Sequence, residues 1–160
     1  MKKIAGSLIT LFLLLAVLLT PLAAYGDEPS LVPPGGTVPI WLMAGQHTHA
    51  GDVYVWNDAV NLYVQFVTLD GWSLGETHLY VSLDKPTKAA PGRFPYKGQE
   101  FYTIPLSELG AGSGSELYIA AHAVVQKDGQ QETAWGAGEA FAKNWAMWFP
   151  YRVGSVGGGE

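Results

Sequence analysis

The chain has 160 residues, with 14 acidic against 9 basic side chains, no cysteine and 12% aromatic residues. A formal net charge of −5 gives no attraction for phosphate backbones, so nucleic acid is not an expected partner. The missing cysteines exclude disulfides, thiol catalysis, thiolate zinc sites and lipid attachment through a Cys.

Lys2 and Lys3 precede an apolar run from Leu8 to Leu19, followed by Pro21 and the segment Ala23-Ala24-Tyr25-Gly26. A basic start, an apolar centre and a small-residue exit make residues 1–26 a secretory signal peptide, cleaved after Gly26 or after Ala24. An uncleaved anchor fits less well, because Thr10, Thr20 and Pro21 interrupt a run that barely reaches the ~20 residues of a span. The expected address is secreted or cell surface, with no membrane association after cleavage. Lys2 and Lys3 leave with the signal and all 14 acidic residues stay, so 7 basic residues remain among 134. That length is enough for one domain, which without disulfides must be held by packing.

Residues 27–37 are rich in Pro and Gly and read as an extended lead-in. Residues 38–153 read as one β domain, an antiparallel β-sandwich or jelly roll of about seven to eight strands. Candidate strands lie at 38–43, 52–56, 61–68, 76–83, 101–105, 117–126, 131–135 and 145–153. Asn57-Asp58-Ala59-Val60 and Lys127-Asp128-Gly129-Gln130 are expected as hairpin turns. A long loop with three prolines covers 86–98, and 110–115 is a Gly/Ser link. Helix is limited to single turns at 107–109 and 138–143, and 154–160 is a flexible tail.

Strand alternation assigns faces. Thr77, Leu79, Val81 and Leu83 form one face, against Glu76, His78, Tyr80 and Ser82. Leu117, Ile119, Ala121, Ala123 and Val125 form a second buried-looking face, opposite Glu116, Tyr118, Ala120, His122 and Val124. If these strands share a sheet, one surface carries tyrosines and imidazoles with Glu76 at one end.

His47-Thr48-His49 has the spacing that aims two imidazoles alike along a strand, a start for zinc or copper ligation. The plain alternative is a polar loop, since Gly45 and Gly51 bracket the pair. His122 lies in an apolar run, where a hydrogen-bonded structural histidine is the commoner occurrence. Glu76 and His78, two apart, can orient one another. No Gly-x-Ser-x-Gly elbow follows the signal, and scattered carboxylates make no specific glycosidase pair. Asp52, Asp58 and Asp70 near Asn57 and Asn61 suit calcium, but turn formation explains the Asn57-Asp58 step without an ion.

Six Trp crowd a domain of this size, and an exposed indole would suit stacking on a sugar ring. The plain alternative has Trp56, Trp145 and Trp148 closing the ends of the sandwich.

The motifs GDVYVWNDAVNLYVQF, ETHLYV, PGRFPY, YTIPL, LYIAAHAVV, QQETAWG and NWAMWFPY, within residues 45–153, resemble a secreted β-sandwich domain of bacteria and archaea that has no assigned activity. The resemblance implies an extracellular or cell-surface module, sometimes part of a larger protein. It points to Glu76, His78, His122, Glu132 and Trp135, and does not include the His47/His49 pair. The candidate metal set is therefore Glu76, His78, His122 and Glu132, with a divalent ion as the cofactor it would hold. The same residues also read as a polar network. Trp72, Tyr80, Tyr118 and Trp135 are the candidate ligand-binding residues. The first expectation is a non-enzymatic binding or structural module for an extracellular macromolecule or glycan. A metal-binding protein or metalloenzyme and a carbohydrate-binding module are the alternatives.

Overall fold

A computed structural model describes residues 37, 39–69, 71–141 and 144–155. The signal peptide, almost all of the lead-in, Asp70 and most of the tail lie outside the described residues.

The fold is all-β and antiparallel. Its strands are β1 (Ile40–Ala44), β2 (Thr48–Asn57), β3 (Asn61–Thr68), β4 (Ser73–Ser82), β5 (Tyr96–Lys97), β6 (Phe101–Pro105), β7 (Glu116–Lys127), β8 (Gln130–Gly136), β9 (Glu139–Ala140) and β10 (Met147–Arg152). The only helical piece among the described residues is one 3-10 turn at Pro91–Arg93. No helix among them is long and apolar enough to cross a membrane.

Eight strands form one continuous path, β5-β4-β7-β8-β1-β2-β3-β6, rather than two separate layers. The sheet curls into a half-barrel because β1 pairs with both β2 and β8, joining the two arms through one strand. Strand β7 is long enough to serve three partners. Tyr118 to Gln126 pair with β4; on its other edge β8 takes His122–Lys127 and β10 takes Glu116–Ile119. The free ends of the path are drawn together by the segment between β5 and β6. Gly98 N–H donates to the Thr77 carbonyl at 2.9 Å, and Phe66 N–H to that of Glu100 at 2.9 Å. The Thr77 hydroxyl meets the Gln99 carbonyl and the Tyr102 hydroxyl, both at 2.7 Å.

Both expected hairpin turns form. Asp128 and Gly129 adopt φ of 53° and 77°, the left-handed pair that a two-residue turn between β7 and β8 requires. At the other turn the Asp58 carboxylate accepts from Val60 N–H, Asn61 N–H and the Tyr63 hydroxyl at 2.7, 2.6 and 2.6 Å. Burial alone would raise the Asp58 pKa, but the Tyr63 hydroxyl and these amides outweigh it and hold it below 3.8.

The core lies inside the curl. Leu42, Val53, Val64, Phe66, Leu79, Leu117, Ile119 and Val125 are fully buried there, each worth about 1.5–3 kcal/mol of apolar transfer. The alternation expected for 76–83 and 116–126 places Thr77, Leu79 and Val81, and Leu117 through Val125 on the odd positions, on this side. Leu83 departs from it. It lies one residue past the end of β4 and is 43% exposed.

One end of the curl is closed by Asn57. Its Oδ1 accepts from the Tyr151 hydroxyl at 2.7 Å and from Gly154 N–H at 2.9 Å, clasping β2 to the end of β10.

Candidate binding cleft

The outer face of β4, β7, β8 and β10 is covered. Segments 84–95, 137–141 and 144–146 fold over it and build a second apolar cluster of Phe94, Ala120, Trp135, Phe141, Ala146 and Trp148. A β carbon at Gly138 would stand 2.1 Å from the Trp148 carbonyl oxygen, so only glycine allows the second of these segments to approach β10.

Within this face the register sets His78 opposite His122 and His122 opposite Trp135. The two imidazoles are buried, with Nδ1 atoms 3.2 Å apart, and His122 packs edge-on against Trp135 with ring centroids 4.8 Å apart. His78 Nε2 stands 3.2 Å from Oε1 of Glu76, a residue 64% exposed on its side chain. A carboxylate accepts only, so a hydrogen bond between them takes its proton from His78 Nε2. Of the two Nδ1 atoms one donates and the other accepts, according to the tautomers. His122 stays neutral in both arrangements. Burial first, and the neighbouring His78 second, hold its imidazole down at about 4.

A separation of 3.2 Å also suits two nitrogens on one zinc ion, which at about 2.0–2.1 Å and a tetrahedral angle stand roughly 3.3 Å apart. The remaining ligands of the expected set are not brought to that point. Glu76 engages the far nitrogen of His78. Glu132 pairs across from Val125, on the opposite face of β8 from Trp135. No group of three or more His, Asp or Glu suited to a metal occurs among the described residues. His47 and His49 do not converge either. His49 stacks on Trp41 with centroids 4.9 Å apart and bonds to Asp52 at 3.0 Å.

The candidate ligand-binding residues divide in the same way. Tyr80, Tyr118 and Trp135 share the covered face. Trp72 sits at another cavity of about 380 Å³ beside Glu132 and Asp128, with the Lys127 ammonium 5.7 Å from its ring centroid.

Beside the histidine pair lies a cleft of about 380 Å³ between the sheet and segment 84–94. Tyr80 and Phe94 form its floor, with centroids 5.8 Å apart, and Phe94 stands edge-on to Trp135 behind it. The Tyr80 hydroxyl donates to the Asp84 carbonyl at 2.8 Å and pins the start of the segment. Lys85, Lys88 and Arg93 line the cleft, with Asp84 as its one carboxylate. The Lys85 ammonium lies 4.9 Å from the Trp148 ring centroid and 5.4 Å from that of Tyr118. None of the three cations forms an ion pair among the described residues.

These cations were not among the residues singled out from sequence. The signal was present: Lys85, Lys88, Arg93 and Lys97 fall within 13 positions of a chain with 9 basic residues in all.

No family model matches this chain, and neither curated proteins nor solved structures return a match.

Proposed function

We propose that this chain is a non-enzymatic binding module, secreted or at the cell surface, whose partner is an extracellular macromolecule taken at the cleft over Tyr80 and Phe94. In this reading the two arms of the curled sheet serve as the layers of a sandwich, and segment 84–94 serves as the recognition loop. The observation that carries it is the concentration of three cations, without an ion pair among the described residues, around an aromatic floor on an acidic chain. A concave site with an apolar floor and a few charged groups is the usual form of a ligand site. The histidines beside it are engaged with each other and with Glu76.

The test is retention of the secreted chain on a panel of immobilised extracellular polysaccharides and cell-envelope preparations. A steric variant, Ala90→Trp, fills the cleft without altering charge. Retention of the wild type with loss in Ala90→Trp is the expected result. Equal retention of both proteins would place binding elsewhere. No retention on any surface would remove the reading.

A further inference from the structure

Three such cations on one cleft of an acidic protein call for a negatively charged occupant. Charge complementarity of this kind steers the encounter and rejects neutral competitors. Arg93 offers a planar fork that matches a carboxylate in two-point contact, while Lys88 supplies a mobile point charge beside it. The Lys85 ammonium is held over Tyr118 and Trp148, so one cation is fixed in place before any ligand arrives.

The rest of the lining narrows the chemistry. The half-buried Tyr80 presents ring surface in the floor, backed by the buried Phe94, which suits the C–H face of a pyranose more closely than a small inorganic anion. A volume of about 380 Å³ lies at the lower end of ordinary ligand sites, the scale of one or two sugar rings rather than a folded partner. Thr87 adds a hydroxyl for sugar oxygens.

We propose that the cleft binds carboxylate-bearing sugar residues of an acidic polysaccharide, with Arg93 and Lys88 on the carboxylate and Tyr80 beneath the ring. This inference rests on the binding-module reading and gives it a ligand class.

The experiment is titration calorimetry of the secreted chain at low salt with a size-defined oligogalacturonate. Its fully methyl-esterified form and a hexaglutamate peptide serve as comparisons. The variant is Lys88→Gln with Arg93→Gln; both side chains are exposed and have no side-chain partner among the described residues, so the fold is expected to persist. The expected result is at least tenfold weaker binding of the ester, at least tenfold loss in the double variant, and an unchanged melting temperature. Affinity for the acidic sugar should also fall several-fold between 50 and 500 mM salt, roughly as exposed charges are screened.

Equal affinity for the ester would overturn the inference, since charge would not be read, while leaving the module reading in place. Equal affinity for hexaglutamate would overturn it in favour of an acidic peptide. No binding of any probe by the wild type would also overturn it, and the retention panel with Ala90→Trp would then decide the module reading separately.

Discussion

The two outer faces of the curled sheet obey the same alternation but end differently. On the arm of β4, β7, β8 and β10, the outward residues Tyr80, Ala120, Trp135 and Trp148 are roofed by segments 84–95, 137–141 and 144–146 and become a second core. On the arm of β1, β2, β3 and β6, the outward residues form no second apolar cluster among the described residues. There Trp41 is 57% exposed, and Trp56, Tyr63 and Phe101 cover one another by stacking, with centroids 5.4 to 5.9 Å apart. The difference lies in the connections. Short turns at 45–47 and 58–60 join the strands of the bare arm, whereas the covered arm carries long insertions that bring Phe94 and Phe141 as plugs. A sheet face thus becomes a site where the chain can afford to fold back over it.

The largest expected effect contrasts one tryptophan from each face. Trp135→Ala should cost about 3–5 kcal/mol in urea unfolding, as a buried aromatic removed from a packed cluster. Trp41→Ala should change stability by about 1 kcal/mol or less, because its side chain is largely exposed and stacks on His49. A similar loss in both variants would show that the second face is covered as well.

The next effect is pH dependence, and it too belongs to the covered face. His122 sits at about 4 in the fold against 6.5 when unfolded, so the unfolded chain binds more protons between those values. Stability is therefore full above pH 6.5 and falls as pH drops toward 4, by up to roughly 3 kcal/mol at about 1.4 kcal/mol per pH unit. The groups facing His122 are His78, Glu76 through His78, and the indole of Trp135. Thermal melts from pH 7.5 to 4 should show this fall in the wild type and a flatter profile in His122→Gln. Equal slopes would mean that the pair takes up a proton without strain.

On the bare arm the acid response should come later and be smaller. The Asp58 pKa is lowered, so its stabilisation is present above pH 3.8 and is lost as pH falls through the lowered value. Asp58→Asn should lower stability by about 1 kcal/mol at pH 7, the scale of a turn-capping group, and remove the response below pH 3.8. A profile of Asp58→Asn that departs from that of the wild type between pH 6.5 and 4, where His122 alone is expected to respond in both, would contradict this separation of the two arms.

Sequence reading reached the covered face only in part, for physical reasons. Period-two alternation over 76–83 and 116–126 puts His78 and His122 on outward positions, and a strand has few ways to disobey it. That the two face one another depends on the register of β4 on β7, which includes a bulge between Leu74 and Thr77 and is fixed by long-range pairing. Glu132 was legible and misgrouped. It lies three positions from Trp135, which on a strand means the opposite face. The single curled sheet, in place of two layers, depends on β1 pairing at both edges, a non-local choice without a local signature. Segment 84–95 has no periodicity, so its position as a roof, and the cations it brings, could be read only from the fold.

The smallest expected effect concerns the histidine pair as a metal centre. Two nitrogens 3.2 Å apart would supply only half of a tetrahedral shell, and the Glu76 and Glu132 carboxylates of the expected set are not brought to it. One shared proton satisfies both Nδ1 atoms without an ion, and a buried pair so satisfied has little to gain from metal. Elemental analysis of the purified chain should show no stoichiometric transition metal, and chelator should leave the melting temperature unchanged. A metal present at one per chain and lost in His78→Gln with His122→Gln would reverse this. It would mean that the spacing belongs to two ligands of one ion, and the covered face would then be a metal centre with the cationic cleft as its entrance.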